Sequence, residues 1–392
     1  MKKTYWGYSA MIICSLALGQ SKTFAQDAKN QYPELLTPKT KVSQLVVSHK
    51  EVGEKPYLSF PCVTRVNDQE VLITFKRGTS HGGDPEADAD LLRFNTVTNK
   101  VLEHKTLGRI PGRIFQLTVP VQIDKNDLRF YVDLQSKGQD SKNYREGMHF
   151  TSTRENGKIV GPWKAQGAIE GIEYGYPFDY IVEGKVVYML AMSFGYMPGK
   201  LWSVAVLKSD DGAKSWKKVK DITQVMGGPI NESCFTRVGD DFFVVSRGYA
   251  NQETKIARFD KNFNVLQVSD LTGKNSALRG YIGWPRIFFK DNHLYVMGRL
   301  RVVSPDGKNE NTPEGKNMRL GLVRVNPGQL TVDRISLLDN EDGSLPIRDG
   351  YYAASYWQKS NDELWFNAIT YRALGANEPD IMRYAFKWDD IK

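Results

Sequence analysis

Glu232 and Arg247 lie in the segment INESCFTRVGDDFFVVSRGY, an acid at the start of one strand-like run and an arginine at the end of the next. In an antiparallel hairpin those two positions fall at the same end, so a carboxylate and a guanidinium can share one site. A salt bridge at a hairpin end is the alternative. The Gly-rich loop GTSHGGDPEADADLL carries His81 and Asp84, with Asp88 and Asp90 as rivals. An imidazole in such a loop can act as acid or base. An aspartate there can protonate a leaving oxygen where burial or a neighbouring anion raises its pKa. An exposed loop histidine and an Asx turn before Pro85 are the structural alternatives. In DGYYAASYW, period-two alternation lets only one of Tyr351 and Tyr352 face inward, and counting to the next turn favours Tyr352. No P-loop, GxGxxG or metal-ligand spacing is present, so neither a cofactor nor a metal is expected.

The elements that must hold these residues repeat. Six times a β-rich run, a polar turn and a second β-rich run follow one another, from Cys62, Val121, Asp179, Phe235, Arg286 and Ser355. The turns fall near Asn67, Asn126, Gly184, Gly239, Asp291 and Asn361, at spacings of 59, 58, 55, 52 and 70 residues. Asp, Asn and Gly are the residues that tight hairpins require. A period of this size accommodates a four-stranded blade, which makes the chain an all-β protein and predicts a six-bladed β-propeller. Two packed β-sandwiches are the alternative. The run SQLVVSHKEV from Ser43 is expected to pair with RYAFKW from Arg383 and close the ring, and the polar insert from Ser304 to Asn317 reads as a surface loop.

Composition fits this class. The 392 residues include 53 Lys+Arg and 45 Asp+Glu, with 41% hydrophobic and 25% charged residues, which argues against disorder. Lys2 and Lys3, the short apolar run from Tyr8 to Leu18, and Thr23-Phe24-Ala25 read as a signal peptide over 1–25, followed by a linker over 26–42 and one propeller domain over 43–392. The expectation is an exported protein, periplasmic or secreted, a monomer without membrane insertion. Removing three lysines with the signal lowers the formal charge from +8 to +5, and no clustered basic stripe suggests nucleic acid as a partner. Cys62 and Cys234 remain, either as a disulfide or as two buried thiols.

One further motif names a family. SDDGAKSW, from Ser209 to Trp216, resembles the Asp-box, with Ala213 where Gly is usual, and TRENGKIVGPW from Thr153 is a weaker echo. With this box, six units and an export signal, the chain resembles the sialidase superfamily of propeller glycosidases. The resemblance implies an exo-acting glycoside hydrolase with a glycan or oligosaccharide substrate. A tyrosine (Tyr351 or Tyr352) would be the nucleophile, Glu232 its base and Asp84 the acid, the sialidase exception to paired carboxylates. It also implies arginines that grip a substrate carboxylate, for which Arg77, Arg247, Arg286 and Arg372 are candidates, with Arg299 and Arg301 competing with Arg286. Two positions depart from the pattern: Ser59 stands where the family has its first arginine, and Arg372 where it has the glutamate that holds that arginine. Either Arg372 supplies the missing guanidinium, or the substrate has no carboxylate there and Arg372 pairs with an acid such as Asp380. Related propellers include polysaccharide lyases that use His and Tyr, which makes β-elimination with His81 the alternative chemistry. A catalytically silent, sugar-binding propeller is the third reading.

Overall fold

The computed structural model describes residues 32–392 except 110–113, 138–142, 156–157, 169–174, 194–202, 250–251, 274–275, 304–317 and 340–346. The signal peptide, the insert after Ser304 and the turn of the Thr153 echo therefore lie outside the described residues. Apart from two short 3-10 turns, the described secondary structure is strand. The strands form six sheets, five of four strands and one of five. Their first strands are Tyr57–Asn67, Ile114–Gln122, Tyr176–Glu183, Ile230–Val238, Gly283–Lys290 and Ile347–Ser360, and these begin sheets 1 to 6. Each first strand turns back into its second, namely Glu70–Gly78, Leu128–Lys137, Val186–Ser193, Asp241–Gly248, His293–Arg301 and Glu363–Leu374. The first strands contact one another in chain order, and that of sheet 6 returns to that of sheet 1, so the all-β chain is a β-propeller.

The turn residues fit this arrangement. Gly184, Gly239, Asp291, Asn292, Asn361 and Asp362 all have positive φ, the backbone region that Gly, Asn and Asp enter most readily. Closure is as expected: Val42–Val47 pairs antiparallel with Asp380–Lys387, the third strand of sheet 6. The linker assignment needs correction, because Glu34–Leu36 adds as a parallel fifth strand to Val332–Asp339 in sheet 5.

Second strands are buried on both faces. Val71 and Ile73 pack into one apolar cluster and Leu72, between them, into another; Tyr188 and Leu190 likewise face away from Val187 and Met189. Alternate side chains thus serve two different inter-sheet cores, which is why these strands read as nearly continuous apolar runs. Outer strands such as Lys100–Gly108 are largely exposed. Cys62 and Cys234 are buried free thiols. In the Asp-box, the Asp211 carboxylate accepts from the backbone N–H groups of Lys214 (3.0 Å) and Ser215 (2.9 Å), and Ala213 sits at φ 62°. Trp216 packs edge-on against Tyr131, so the box is structural. Among the described residues no helix is long and apolar enough to cross a membrane, and no cluster of His, Cys, Asp and Glu could hold a metal.

One irregularity recurs in all six sheets. The pairing of first and second strand slips near its start, between Ser59 and Cys62, Phe115 and Leu117, Pro177 and Asp179, Ile230 and Ser233, Gly283 and Arg286, and Gly350 and Ala353. Such bulges bend a strand and re-aim the residues they contain. Phe60, Trp284 and Tyr351 lie inside three of them with φ of 55°, 49° and 67°, an uncommon conformation for bulky residues.

Deleting residues 32–47 uncovers the edge of Asp380–Lys387, and an open edge invites intermolecular pairing. The expected outcome is a lower thermal midpoint together with self-association by light scattering. An unchanged midpoint in a monomeric variant would show that this strand does not secure the ring.

Candidate active site

The start of a first strand and the end of a second lie at one end of each sheet, and there the bulges gather the polar residues. Glu232, in the bulge of sheet 4, is buried. Its Oε1 accepts from Arg247 Nη1 at 2.8 Å and its Oε2 from the backbone N–H of Trp284 at 2.9 Å. Burial works to raise its pKa, but the charge and hydrogen bond of Arg247, the Trp284 N–H and the charge of Arg299 outweigh it and hold the carboxyl below its ordinary value.

Arg247 Nη1 also donates to the Tyr352 hydroxyl at 2.8 Å, and Arg299 Nη2 donates to that same oxygen at 3.2 Å. Both lone pairs of the phenol are thereby engaged. The Tyr352 ring is buried, parallel to Trp284 with centroids 6.0 Å apart, and near Phe60 at 5.8 Å. Burial raises its pKa, and the favourable charge of Arg299 does not offset this. Gly283 is required here by close approach: a Cβ on it would lie 2.8 Å from a Tyr352 ring carbon.

Arg299 links this group to a second one. Its Nη2 donates to the Tyr281 hydroxyl at 3.0 Å, and its Nη1 lies 3.5 Å from both Asp349 Oδ1 and the Gly350 carbonyl. Asp349 Oδ2 receives His81 Nδ1 at 2.6 Å and the Tyr57 hydroxyl, while Oδ1 also takes the Gly350 N–H (2.8 Å) and the Tyr371 hydroxyl (3.4 Å). Burial raises the Asp349 pKa, but the bond and charge of His81, the Tyr57 bond and Arg299 hold it below its ordinary value. As an ionised carboxylate it takes the Nδ1 proton of His81, leaving Nε2 as the working atom of an exposed ring. The His81 loop is fixed from beneath, since Lys76 Nζ donates to the carbonyls of Ser80 (2.8 Å) and His81 (3.0 Å) and Gln116 Nε2 donates to that of His81 (3.1 Å). Lys76 is buried, which brings its pKa down to about 8.

Glu232, Arg247, Tyr352 and His81 therefore stand in one hydrogen-bonded neighbourhood, and five sequence expectations need correction. Asp84 is buried in its loop, where it accepts the N–H groups of Thr79 (2.5 Å) and Glu86 (3.0 Å). Burial pushes its pKa up, but these bonds and the Lys76 charge bring it below the ordinary value, the wrong direction for a proton donor. Tyr351 points the other way and donates to Asp339 at 2.6 Å. Arg372 also binds Asp339, at 3.2 Å, and neither supplies a site guanidinium nor pairs with Asp380, which holds His49. Arg77 is consumed by Asp90 (2.9 Å) and Asp88 (3.3 Å) within sheet 1, and Arg286 by the Phe178 carbonyl (2.8 Å) and the Trp284 ring (4.1 Å). The place expected for Arg286 is taken by its competitor Arg299, whose Cα partner is Gly283 at the bulge. Ser59 is buried, with no partner for its hydroxyl among the described residues. Asp349, Tyr281 and Tyr57 were missed; the only sequence cues are the Gly after Asp349 and the Gly-Trp-Pro after Tyr281.

No family model and no curated protein matches the chain. In three dimensions it is similar to a Dyadobacter fermentans protein of unknown function, with 14% identity and a TM-score of 0.66 over 89% of this chain and 98% of the other. It is also similar to the phage phi92 endosialidase (9% identity, TM-score 0.61, 90% and 69% covered). A third neighbour is the GH93 alpha-L-arabinofuranosidase of Fusarium graminearum, solved with arabinobiose (9%, 0.57, 89% and 98%). At these identities the likeness is one of fold, and the β-propeller expected from the repeats is the fold found.

Because the folded-state pKa of Glu232 lies below its ordinary value, its stabilisation is present above that value and is lost as pH falls through the lowered one. The gap in thermal midpoint between wild type and Glu232→Gln is expected to be widest at neutral pH and to close on acidification below the carboxylate range. Arg247→Ala leaves a buried carboxylate without its cation and is expected to lose about 3–5 kcal/mol in urea unfolding.

Proposed function

We propose that the chain is an exported glycan-degrading enzyme that cleaves the glycosidic bond of a carboxylate-bearing sugar. In this reading the six sheets are the six blades of one ring, and the bulged ends of their first strands form its active face. One observation carries the substrate class: Arg247, Arg299 and Arg301 surround Tyr281, and among the described residues the carboxylates linked to this cluster are Glu232 and Asp349. A site with an excess of guanidinium charge favours an anion, and planar guanidinium groups suit a carboxylate.

The reaction class follows from which groups can move protons. Neither Glu232 nor Asp84 is a free carboxylic acid, since each has both oxygens engaged. His81, oriented by Asp349 through Nδ1 and with no bond to Nε2 among the described residues, is in its imidazolium form the remaining donor to a leaving oxygen, and a tyrosine of the arginine cluster is the group that attacks the anomeric carbon. The endosialidase and the alpha-L-arabinofuranosidase among the fold neighbours support hydrolysis. The His81–Asp349 pair is also what β-elimination from a uronate would use, and that is the second reading.

The mature protein should be assayed on paired glycosides that differ only in a sugar carboxylate, with products identified by mass spectrometry. Expected is turnover of the carboxylated member with gain of one water. A product of unchanged total mass carrying a C=C conjugated to the carboxylate would establish elimination instead. Arg299→Ala is expected to lower kcat/KM on the acidic substrate by about a hundredfold or more. Preference for the neutral member would reject the acidic-sugar assignment.

A further inference from the structure

The cluster contains two phenols on one guanidinium, and they are not equivalent. Arg299 Nη2 donates to Tyr281 at 3.0 Å and to Tyr352 at 3.2 Å. Tyr352 is buried, clamped between aromatic rings, and its oxygen already accepts a second bond from Arg247. To attack an anomeric carbon it would have to give up one of those charge-assisted bonds. Tyr281 is partly exposed and, among the described residues, accepts that one hydrogen bond, which leaves a lone pair of its oxygen unengaged. Its ring lies against three guanidinium groups, with centroid distances of 3.8 Å to Arg247, 5.7 Å to Arg299 and 5.4 Å to Arg301.

We infer that Tyr281, rather than the buried Tyr352, is the reactive phenol of this site, and that Tyr352 is a positioning residue that holds Arg247 and Arg299 in place. The charged groups facing Tyr281 are Arg247 and Glu232 from sheet 4 and Arg299 and Arg301 from sheet 5. Burial raises its pKa, but the three arginines outweigh burial and Glu232 together, so the phenol loses its proton more readily than an ordinary tyrosine. That proton leaves to solvent through the exposed side of the ring, so no carboxylate is needed as its base. The phenolate oxygen then bonds to the anomeric carbon as the bond from that carbon to the leaving oxygen breaks, and the leaving oxygen takes the Nε2 proton of His81 in its imidazolium form, which leaves the ring neutral with its proton on Nδ1 toward Asp349. Water attacks next, gives its proton back to His81 and releases the phenolate, so the configuration is retained. The covalent step rests on the glycosidase reading; the state of the phenol does not.

Two measurements separate them. An ultraviolet titration of tyrosinate is expected to show one phenol ionising below the normal tyrosine range in wild type and in Tyr352→Phe, and none in Tyr281→Phe. Acylation with N-acetylimidazole, mapped by peptide mass spectrometry, is expected to reach Tyr281 well before Tyr352. On the substrate found above, Tyr281→Phe should lose about three orders of magnitude or more in kcat, while Tyr352→Phe retains measurable turnover. A 2-fluoro glycosyl fluoride of the same sugar should label the Tyr281 peptide. Ordinary titration of Tyr281, or a label on Tyr352, overturns the assignment. An acidic, readily acylated Tyr281 in a protein that turns over no glycoside removes the glycosidase reading and leaves the phenol's assignment as the reactive one in place.

Discussion

The guanidinium of Arg299 is the contact on which the candidate site depends. It is held at the end of a second strand in sheet 5, opposite Gly283, and reaches Tyr281, just ahead of that sheet's first strand, and Tyr352, Asp349 and the Gly350 carbonyl on sheet 6. Through Asp349 it is joined to Tyr57 and His81 of sheet 1, and through the Tyr352 hydroxyl to Arg247 and Glu232 of sheet 4. A buried cation is tolerated only where acceptors and counter-charges surround it, so these partners are fixed as a set rather than one by one.

The same field produces opposite outcomes on neighbouring groups, and burial decides between them. For Glu232, Asp349 and Tyr281 the nearby positive charge outweighs the penalty of leaving water, so each is shifted toward its anion. For Tyr352 the penalty wins. Asp84 shows that a low pKa alone does not mark a reactive group. Its charge is spent on the backbone of the loop that also carries His81.

Much of the scaffold was legible because turns and pairing leave marks in residue type. Gly184, Gly239 and Asn361 stand at the hairpin tips where positive φ is needed, and the alternation in SQLVV and RYAFKW was enough to pair the closing strands. Glu232 and Arg247 were legible for the same reason, since both ends of one hairpin could be counted. The bulges left no such mark. A slip of one residue moves every later side chain to the other face, so the choice between Arg286 and its competitors Arg299 and Arg301 could not be made without knowing that the register breaks between Gly283 and Arg286. Asp349 was hidden for the same reason, lying just before the slip between Gly350 and Ala353. Arg372 and Arg77 looked available because sequence shows a charge but not the acid that consumes it across a sheet or between sheets.

The six slips also separate two kinds of inheritance in the chain. Beyond each slip, the hairpin registers that build the inter-sheet cores run uninterrupted for several residues; before it, the backbone is free to present a different side chain without shifting that frame. Sequence drift at the rim is thus insulated from drift in the walls. Ser59, whose hydroxyl is buried with no partner among the described residues, lies on such a rim, while Arg372 pairs with Asp339 within the wall. A propeller built this way can change what its rim presents by altering a few positions, and overall sequence similarity is then a poor guide to the chemistry of that rim.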